Sequence, residues 1–480
     1  MNFSLSLIDF AAISPLLILL VAALLLLLIE SFSEEMGKKF SFLTTTAAIA
    51  IALYVSLYTP TTEQPLLTRW LRFDQFARFF TVFFLLIGLG TTLLSKAFFQ
   101  RFEATQGEYY FLLLSSLFGL ILIGDSADFL TLFLGLETLS ISLYVLCGYM
   151  KKWEISHEAA IKYFLMGALA AAFLLYGIAL IYGATGTTQF DALLAGYQAK
   201  NELSNKTLFL SGVALVTLGL AFKAAIVPFH VWAPDVYDGA PTPVTAFMAV
   251  GTKTGAFVAF IRIFMEALSK FNPVWNQGIA LLAYPTIIYA NIVAIRQEQL
   301  RRFFAYSGIS HAGFLLIPLA ASGFAGALPA LVFYLIVYAI ATLGAFAVLA
   351  FLDRNSDGVL IRDLRGLFQR SPWLAITLAL CLLTLAGIPP TAGFLAKFYL
   401  FKVAFEAGFY GLVIVGLLMT VFAAYYYLRI ISIMFAESPL DSQTLLKSWP
   451  ALAVGVVSFA AIILLSLYPM PILSLVSLLR

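Results

Sequence analysis

Six titratable residues of this 480-residue chain lie inside long apolar stretches, where a charge is costly. Glu137 occurs in FLGLETLSISLYVL and Lys253 in AVGTKTGAFV, so both lie near the middle of a stretch long enough to cross a lipid bilayer. The complete set is Glu137, Lys162, Lys223, Lys253, His311 and Lys397. A charge at the bilayer centre costs about 2.5–3.5 kcal/mol on insertion scales, and such residues by default mark ion pathways or proton relays. We therefore predict proton transfer as the chemistry of this set.

The residue types of the set suit proton transfer. Burial disfavours the charged form of a lysine, which can then release its proton, whereas an arginine stays protonated. Two members have an alternative interpretation, because Lys162 lies close enough to the end of its stretch to reach the interface and His311 could be a packing residue. The basic residues nearer the ends of their stretches are expected to extend their charged groups to the membrane interface; these are Arg262, Lys402 and Arg429.

Composition places all of these residues in a membrane protein. The chain is 62% hydrophobic and only 11% charged, with a mean hydropathy of +0.97, whereas a globular protein is about a quarter charged. A soluble protein is therefore excluded. The two cysteines, Cys147 and Cys381, are too few and too far apart for a disulfide framework or a metal cluster. The first apolar stretch has no basic residue before it, so we interpret it as a retained span and not as a cleaved signal.

We predict an all-α polytopic membrane protein with about fourteen spans. The apolar residues run continuously instead of alternating, which indicates helices and not the strands of a membrane barrel. In chain order, spans 1 to 14 are 11–31, 39–58, 74–95, 107–124, 127–149, 157–183, 207–233, 240–266, 276–296, 300–320, 325–352, 372–402, 409–435 and 449–470. The longest connections, 184–206 and 353–371, are too short for a soluble domain.

Two of the spans contain helix breakers beside a lysine. In span 7, Lys223 is followed by Pro228, and in span 12 the segment GIPPTAG precedes Lys397. Breaks are tolerated in a membrane where they line a cavity or are buried in protein, and they recur at the ion sites of transporters. We therefore predict that spans 7 and 12 are discontinuous, and that the carbonyl end of the first half-helix of span 7 stabilises the charge of Lys223.

The two broken spans also suggest an internal repeat. They are five spans apart, so they cross the membrane in opposite directions, as two inverted repeats of five helices require. His311 in span 10 would be the counterpart of Glu137 in span 5. The predicted units are residues 1–106 with spans 1–3, 107–266 with spans 4–8, 276–435 with spans 9–13, and 449–480 with span 14.

Basic loop residues predict the orientation, because Lys and Arg concentrate in cytoplasmic loops. The odd-numbered loops carry about twice as many as the others and include Lys38, Lys39, Lys96, Arg101, Lys151, Lys152, Arg296, Arg301, Arg302, Arg354, Arg362, Arg365, Arg370 and Lys447. The even-numbered loops and the C-terminus hold Arg69, Arg72, Arg78, Lys200, Lys206, Lys270 and Arg480. The odd-numbered loops are therefore predicted to be cytoplasmic, and both termini to lie on the other side.

Four segments of the chain resemble a known family. FKAAIVPFHVWAPDVYDGAPTPVTAFM, LGLETLSISLYVL, EAAIKYFLMGA and LAGIPPTAGFLAKF look like the subunit N family of respiratory NADH:quinone oxidoreductase (complex I), one of the Mrp-antiporter-like families. The resemblance covers nearly the whole chain. It implies fourteen helices, two inverted five-helix units and broken helices 7 and 12. It also implies proton-path roles for the residues that match the family pattern, which are Glu137, Lys162, Lys223, Lys253 and Lys397, with His311 in the corresponding place of the second unit.

The resemblance further implies what lies outside the chain. The complex would use NADH, FMN, iron–sulfur clusters and a quinone on other subunits, with no cofactor in this chain. Its partners would be a further antiporter-like subunit and a small helical subunit in the inner membrane of a bacterium. The expected function is proton translocation coupled to electron transfer from NADH to quinone. The alternatives are a subunit of an Mrp-type cation/proton antiporter and a structural scaffold whose buried charges only specify packing.

Two geometric expectations can be tested against the structure. Glu137 should form a switchable ion pair with Lys162 or Lys223. A hydrated polar axis should also run through the middle of the protein and be lined by Lys223, Lys253, His311 and Lys397.

Overall fold

The computed structural model describes residues 7–59, 67–102, 104–199, 203–353, 358–439 and 448–479. Within these ranges the chain is helical, and its only β pairings are isolated bridges such as the one between Leu71 and Ser126. The predicted all-α fold is thus confirmed. Residues 1–6 of the N-terminal unit lie outside the described residues, as do four of the basic residues used for the orientation, namely Lys200, Arg354, Lys447 and Arg480.

The helices follow the predicted spans closely. Spans 1 to 6 are Leu7–Phe32, Glu34–Ser56, Gln75–Phe99, Gly107–Gly124, Phe129–Cys147 and Glu154–Thr185. Span 7 consists of Leu203–Ala224 and Trp232–Gly239, and it is preceded by the short helices Phe190–Ala192 and Leu193–Ala199. Spans 9 to 11 are Asn272–Ala294, Leu300–Ala320 and Ala327–Leu352. Spans 12 to 14 are Pro372–Ala386 with Ala392–Glu406, Tyr410–Ala436, and Trp449–Leu467, after which Met470–Ser477 forms a last short helix. The connection after span 11 contains the short helices Ile361–Leu364 and Leu367–Arg370.

Thirteen helices of the described chain are long and apolar enough to cross a membrane. The remaining span is span 12, whose first piece, Pro372–Ala386, is apolar but shorter. Spans 7 and 12 are therefore discontinuous, as predicted. The second piece of span 7 extends to Gly239, beyond the predicted end at residue 233.

Both breaks end the preceding half-helix in the same way. Ala225 and Gly387 have left-handed backbones, with φ of 57° and 77°. The next amide bonds back to the helix in each case, from Ile226 to the oxygen of Ala221 at 2.8 Å and from Ile388 to that of Leu383 at 3.2 Å. This is the Schellman arrangement, which satisfies carbonyl groups at a helix end. A proline follows three residues after each left-handed residue.

Span 8 contains wide turns that the sequence did not predict. Its α-helical pieces, Thr242–Phe247 and Lys253–Phe260, alternate with the π-helical pieces Met248–Thr252 and Ile261–Ala267. Such π segments are rare and are frequently found at functional sites. Spans 8, 10 and 11 are buried over most of their length. These three helices form the centre of the protein, and they carry Lys253 and His311.

Candidate functional site

The carboxylate of Glu137 faces the amino group of Lys223. Glu137 Oε1 lies 3.9 Å from Lys223 Nζ, at the outer limit of an ion pair. The helices of spans 5 and 7 bring them together. The sequence left the partner of Glu137 open between Lys162 and Lys223, and the structure shows Lys223. Because the pair is long, Glu137 Oε1 is buried without a hydrogen-bond partner among the described residues.

Two hydroxyl groups of span 5 complete the surroundings of Lys223. Its amino group donates to Ser140 Oγ, and Tyr144 Oη lies 3.4 Å away. Sequence reasoning missed both residues. The available signal was their spacing from Glu137, three and seven residues along a helix, which puts all three on one face. Lys223 thus has alternative oxygen partners beside its carboxylate.

Lys162 lies apart from this pair. Its amino group binds Glu158 at 2.7 Å and Asp235 at 2.8 Å, and its side chain is 42% exposed. Asp235 also binds Arg302 at 3.0 Å. The interpretation of Lys162 as a residue that reaches the edge of its span therefore fits the structure better than a place beside Glu137.

Lys253, and not Lys223, binds the carbonyl end of the broken helix. Lys253 Nζ donates to the carbonyl oxygen of Ala224 at 3.2 Å. The prediction that this helix end stabilises Lys223 is wrong in its choice of lysine, because the side chain of Lys223 is directed toward span 5 and its oxygen atoms. The negative end of a helix dipole stabilises a cation, so the break provides a polar partner for Lys253 in the middle of the protein.

His311 is held by two tyrosines. Its Nδ1 lies 2.7 Å from Tyr334 Oη and its Nε2 lies 3.3 Å from Tyr427 Oη. Tyr427 Oη also lies 2.5 Å from Ser307 Oγ, one turn earlier on span 10. The ring of Tyr338 lies 4.9 Å from the imidazole ring, measured between centroids. Each ring nitrogen can thus exchange a proton with a hydroxyl group.

Lys397 repeats the arrangement of Lys253 at the second break. Its Nζ donates to the carbonyl oxygen of Ala386 at 2.8 Å and lies 4.7 Å from the centre of the Phe314 ring. A small cavity separates this lysine from the histidine, and its lining includes His311, Tyr334, Thr384 and Lys397. The second break therefore also gives its terminal carbonyl to a buried lysine.

The four residues predicted to line the axis are all buried. At the first break, Lys253 binds the carbonyl oxygen of Ala224, the residue that follows Lys223. Gly308 of span 10 lies between Lys253 and Tyr338, because a Cβ at Gly308 would be 3.2 Å from Tyr338 Oη and 3.5 Å from Lys253 Cε. Both Lys253 and Lys397 are close enough to His311 to interact with it electrostatically. We refer to Lys223, Lys253, His311 and Lys397 as the axis.

A second charged cluster lies at the C-terminal end of span 8, around Arg262. Its structure shows that one prediction is wrong. Arg262 was expected to extend to the membrane interface, but it is fully buried. Its guanidinium group binds Asp74 at 2.7 and 3.0 Å, Glu266 at 2.9 Å and the carbonyl oxygen of Gly124 at 2.8 Å. Asp74, at the start of span 3, and Gly124, at the end of span 4, cover this end of span 8. The side chain of Arg262 therefore binds them and is not exposed to water.

Burial opposes the ionisation of two carboxyl groups of this cluster, but their pKa values shift in opposite directions. Burial opposes ionisation of Asp74, but the hydrogen bonds and charge of Arg262 outweigh it and lower the pKa of Asp74. For Asp125 burial dominates and raises the pKa to about 8, although Arg262 and the Thr81 hydroxyl act in the other direction. Lys402 and Arg429 fit the interface prediction better, since Lys402 is 56% exposed and Arg429 binds the oxygen of Ile295 in an exposed contact.

Among the described residues, no group of three or more His, Cys, Asp or Glu side chains could hold a metal ion. Both cysteines are buried and free. The polar side chains described above are Lys, His, Tyr, Ser and carboxyl groups, which can exchange protons.

Comparison with known proteins identifies the family of the chain. The family described as NADH:quinone oxidoreductase/Mrp antiporter, TM, matches residues 126–423. The NADH-quinone oxidoreductase subunit N of Protochlamydia amoebophila is 63% identical over 478 residues, which cover 99% of each chain. A chain of respiratory complex I from Thermus thermophilus has the same fold with a TM-score of 0.80 and 33% identity, covering 96% of this chain and 99% of that one.

A more distant structure shares the fold alone. A chain of the Mrp complex from Dietzia sp. superposes with a TM-score of 0.81 at 20% identity, covering 98% of this chain and 97% of that one. The match over most of the chain and the full-length identity of 63% decide the assignment. The chain therefore belongs to the NADH:quinone oxidoreductase/Mrp antiporter family and, within it, to the N subunits of NADH-quinone oxidoreductase.

Proposed function

We propose that this chain translocates protons in the membrane arm of an NADH-quinone oxidoreductase, and that the protons pass along the axis. Electron transfer from NADH to a quinone takes place on other subunits, which carry the flavin and the iron–sulfur clusters. Glu137 controls the axis at the Lys223 end, and Lys162 serves proton entry at the edge of the protein. The axis residues and Glu137 are the proton-carrying groups.

One observation carries this proposal. Lys253 and Lys397 are buried, and neither forms an ion pair within the part of the chain that the structure describes. Their amino groups contact only helix-end carbonyls within hydrogen-bond distance. A scaffold would pair each buried charge with an opposite one, because an uncompensated buried charge costs about 3–5 kcal/mol. Lysines without a carboxylate suit groups that gain and lose protons, which disfavours the scaffold interpretation.

The geometry suggests an order of steps. While the Glu137 pair is closed, Lys223 holds its proton. When the pair opens, Lys223 loses the stabilising carboxylate and its proton passes to Lys253 across the first break. Lys253 transfers the proton toward His311 past Gly308, and His311 delivers it to Lys397 across the small cavity that they share. Each donor returns to its earlier protonation state when the next proton arrives.

The position of Glu137 supports an assembly with other subunits. Its side chain is 19% exposed, and Leu134 and Ile141 beside it are each 58% exposed. A carboxylate at this depth does not face lipid without a large cost. A neighbouring membrane subunit therefore covers this face, and another covers span 12. By the family resemblance, one neighbour is a further antiporter-like subunit and the other is a small helical subunit.

We also propose the orientation of the chain in the membrane and its division into two inverted halves. The odd-numbered loops lie in the cytoplasm and both termini lie on the other side of a bacterial inner membrane, as the basic residues predict. Residues 107–266 and 276–435 form inverted halves, with 1–106 and 449–480 outside them. The matching Schellman ends at Ala225 and Gly387 support equivalent positions in the two halves.

The second candidate, a subunit of a cation/proton antiporter, shares the fold. It is favoured by the structural similarity to the Mrp complex and disfavoured by the full-length identity to subunit N. The test compares the assembled enzyme with the isolated chain in vesicles. We expect Lys397→Ala to abolish this subunit's share of NADH-driven proton pumping, and the isolated chain to show no cation/proton exchange. Stoichiometric exchange by the isolated chain would favour the antiporter function instead.

A further inference from the structure

A buried carboxylate outside the axis lies where span 11 ends. Asp353 directly follows Leu352, and its side chain is only 3% exposed. Its Oδ2 accepts a hydrogen bond from the hydroxyl group of Thr242, the first residue of span 8. Its Oδ1 is buried and has no hydrogen-bond partner among the described residues. A buried carboxylate oxygen without a donor is costly and calls for a functional explanation.

This carboxylate lines a cavity at one face of the protein. The same face carries loop 3, which joins spans 3 and 4, and loop 11, which joins spans 11 and 12. The cavity is also lined by Arg101 of loop 3, by Thr242 and by Phe346 of span 11. Burial raises the pKa of Asp353, against the opposing effects of Arg301, Thr242 and Arg101. Arg301 is itself buried and donates to the carbonyl oxygen of Ala240 at 2.8 Å. Burial thus favours the neutral form of the carboxyl group. The positive charges of Arg301 and Arg101 favour its ionised form.

Spans 8 and 11 extend from this cavity to the axis. Tyr338 Oη of span 11 donates to the carbonyl oxygen of Ala249 of span 8 at 3.0 Å. On span 11, Tyr338, Thr342 and Asp353 are separated by four and eleven residues, which are about one and three helical turns. They therefore share one face. Tyr338 also contacts His311 and lies beside Gly308 and Lys253. We call this line from Asp353 through Thr342 to Tyr338 the seam.

We propose that Asp353 is a proton-accepting site that supplies the axis through the seam, separately from the Glu137 pair. This inference rests on the proposed function of the axis. The carboxylate takes a proton from water at the cavity and becomes a carboxylic acid. It then passes the proton along hydroxyl groups and intervening water toward Lys253 or His311 and returns to the carboxylate form. No other reactant is consumed.

The contrasting explanation is a structural tether between spans 8 and 11. Asp353→Asn separates the two, because asparagine has the same shape and can still accept from Thr242 but cannot carry a proton. The measurements are assembly of the enzyme, NADH oxidation and protons pumped per NADH in inside-out membrane vesicles. We expect Asp353→Asn to assemble normally and to lose as many protons per NADH as Lys253→Ala does, while Asp353→Glu restores most of the loss.

The matched control is Asp238→Asn. Asp238 is also buried and interacts with Arg301, but it does not line the cavity, so we expect normal pumping. Equal losses in the two asparagine variants would overturn the inference, because charge balance around Arg301 would then explain both. Normal pumping in Asp353→Asn with a defect in Lys253→Ala would overturn the inference and leave the proposed function standing. Normal pumping in both would overturn the proposed function itself.

A second variant tests the seam if Asp353→Asn fails to assemble. Thr342→Val removes one buried hydroxyl group and nearly preserves the side-chain volume. We expect fewer protons per NADH at an unchanged amount of assembled enzyme. Unchanged stoichiometry in Thr342→Val would show that the hydroxyl groups of span 11 carry no protons, and would overturn the seam.

Discussion

The amino group of Lys253 lies 3.2 Å from the carbonyl oxygen of Ala224, the residue directly after Lys223. Lys253 thus binds the end of the half-helix that carries Lys223. Any movement of the break changes the surroundings of both, because Ala224 is the partner of one lysine and the chain neighbour of the other. This arrangement leads to the first prediction.

Replacing Lys253 by arginine should stop proton transfer as completely as replacing it by methionine. Arginine keeps the positive charge but does not release its proton, so charge alone cannot restore the function. The measurement is protons pumped per NADH by the assembled enzyme. The control is Lys402→Met, since Lys402 is an exposed lysine paired with Glu406 one turn away. Pumping by Lys253→Arg at the normal ratio would mean that Lys253 supplies only charge.

Glu137→Gln should allow assembly and electron transfer but lower the number of protons pumped per NADH. The variant removes the charge that faces Lys223 at 3.9 Å while the hydroxyl partners Ser140 and Tyr144 remain. Glu34→Gln is a matched control, because Glu34 also pairs with a lysine, Lys38, but is 59% exposed. A normal ratio in Glu137→Gln would contradict the switchable pair.

Substitutions at the two residues with left-handed backbones, Ala225 and Gly387, should change the stability of the protein in opposite directions. Ala225→Gly should raise stability by about 1 kcal/mol, because glycine adopts positive φ without steric cost. Gly387→Ala should lower stability by about 1–2 kcal/mol through the same backbone effect. A Cβ at Gly387 would also lie 2.7 Å from Lys397 Cδ, so this variant should displace Lys397 and reduce pumping. Thermal unfolding of the solubilised complex and vesicle assays check both parts. Equal stability of the two variants would contradict the left-handed geometry.

Arg262→Met should destabilise the protein by about 1.5–3 kcal/mol, because it removes the charge-assisted hydrogen bonds of Arg262 to two partly buried carboxylates. Asp74 and Glu266 both lose their bonds to the guanidinium group in this variant. The expected result is a lower yield of assembled complex and a lower unfolding temperature. Arg429→Met serves as the control, since Arg429 makes an exposed contact. Similar stability of the two variants would show that the buried cluster contributes little.

The carboxyl group of Asp125 predicts a pH dependence of stability. Its pKa is about 8 in the folded protein, whereas an unperturbed aspartate has a pKa of about 3.9. The folded state therefore binds the extra proton in the interval between these values, and stability falls as the pH rises through it. Asp125→Asn should remove most of that fall between about pH 5 and pH 8. Unfolding temperatures of both proteins across this range test the sign, and an equal slope in both would contradict it.

The membrane spans and their breaks could be predicted from the sequence, because the lipid environment restricts the possible backbone structures. In a bilayer each backbone group must bond within its own helix, so a continuous apolar stretch specifies a span, and a proline cluster specifies where it breaks. Depth likewise identified Glu137 and Lys253, because a charge in the middle of a span is costly before its partners are known. These inferences need only the position of a residue along its span.

Partner choice could not be predicted in the same way. Ser140, Tyr144, Tyr334 and Tyr427 carry no charge, so nothing in an apolar stretch distinguishes them from packing residues until the facing helix is known. Arg262 was misjudged because its distance from the span end did not reveal that Asp74 and Gly124 cover that end. Contacts between distant segments decide these cases.

The π-helical pieces of span 8 have a mechanical consequence. Each contains one more residue per turn than an α-helix requires, and the piece that carries Lys253 lies between the two. If one wide turn tightens while the other widens, the intervening piece advances by about 1.5 Å and rotates by about 100° with no net change in the length of the helix. The piece that carries Lys253 could therefore shift by one residue between the two π-helical pieces. This shift would move the Lys253 amino group away from Ala224 while both ends of span 8 remain fixed.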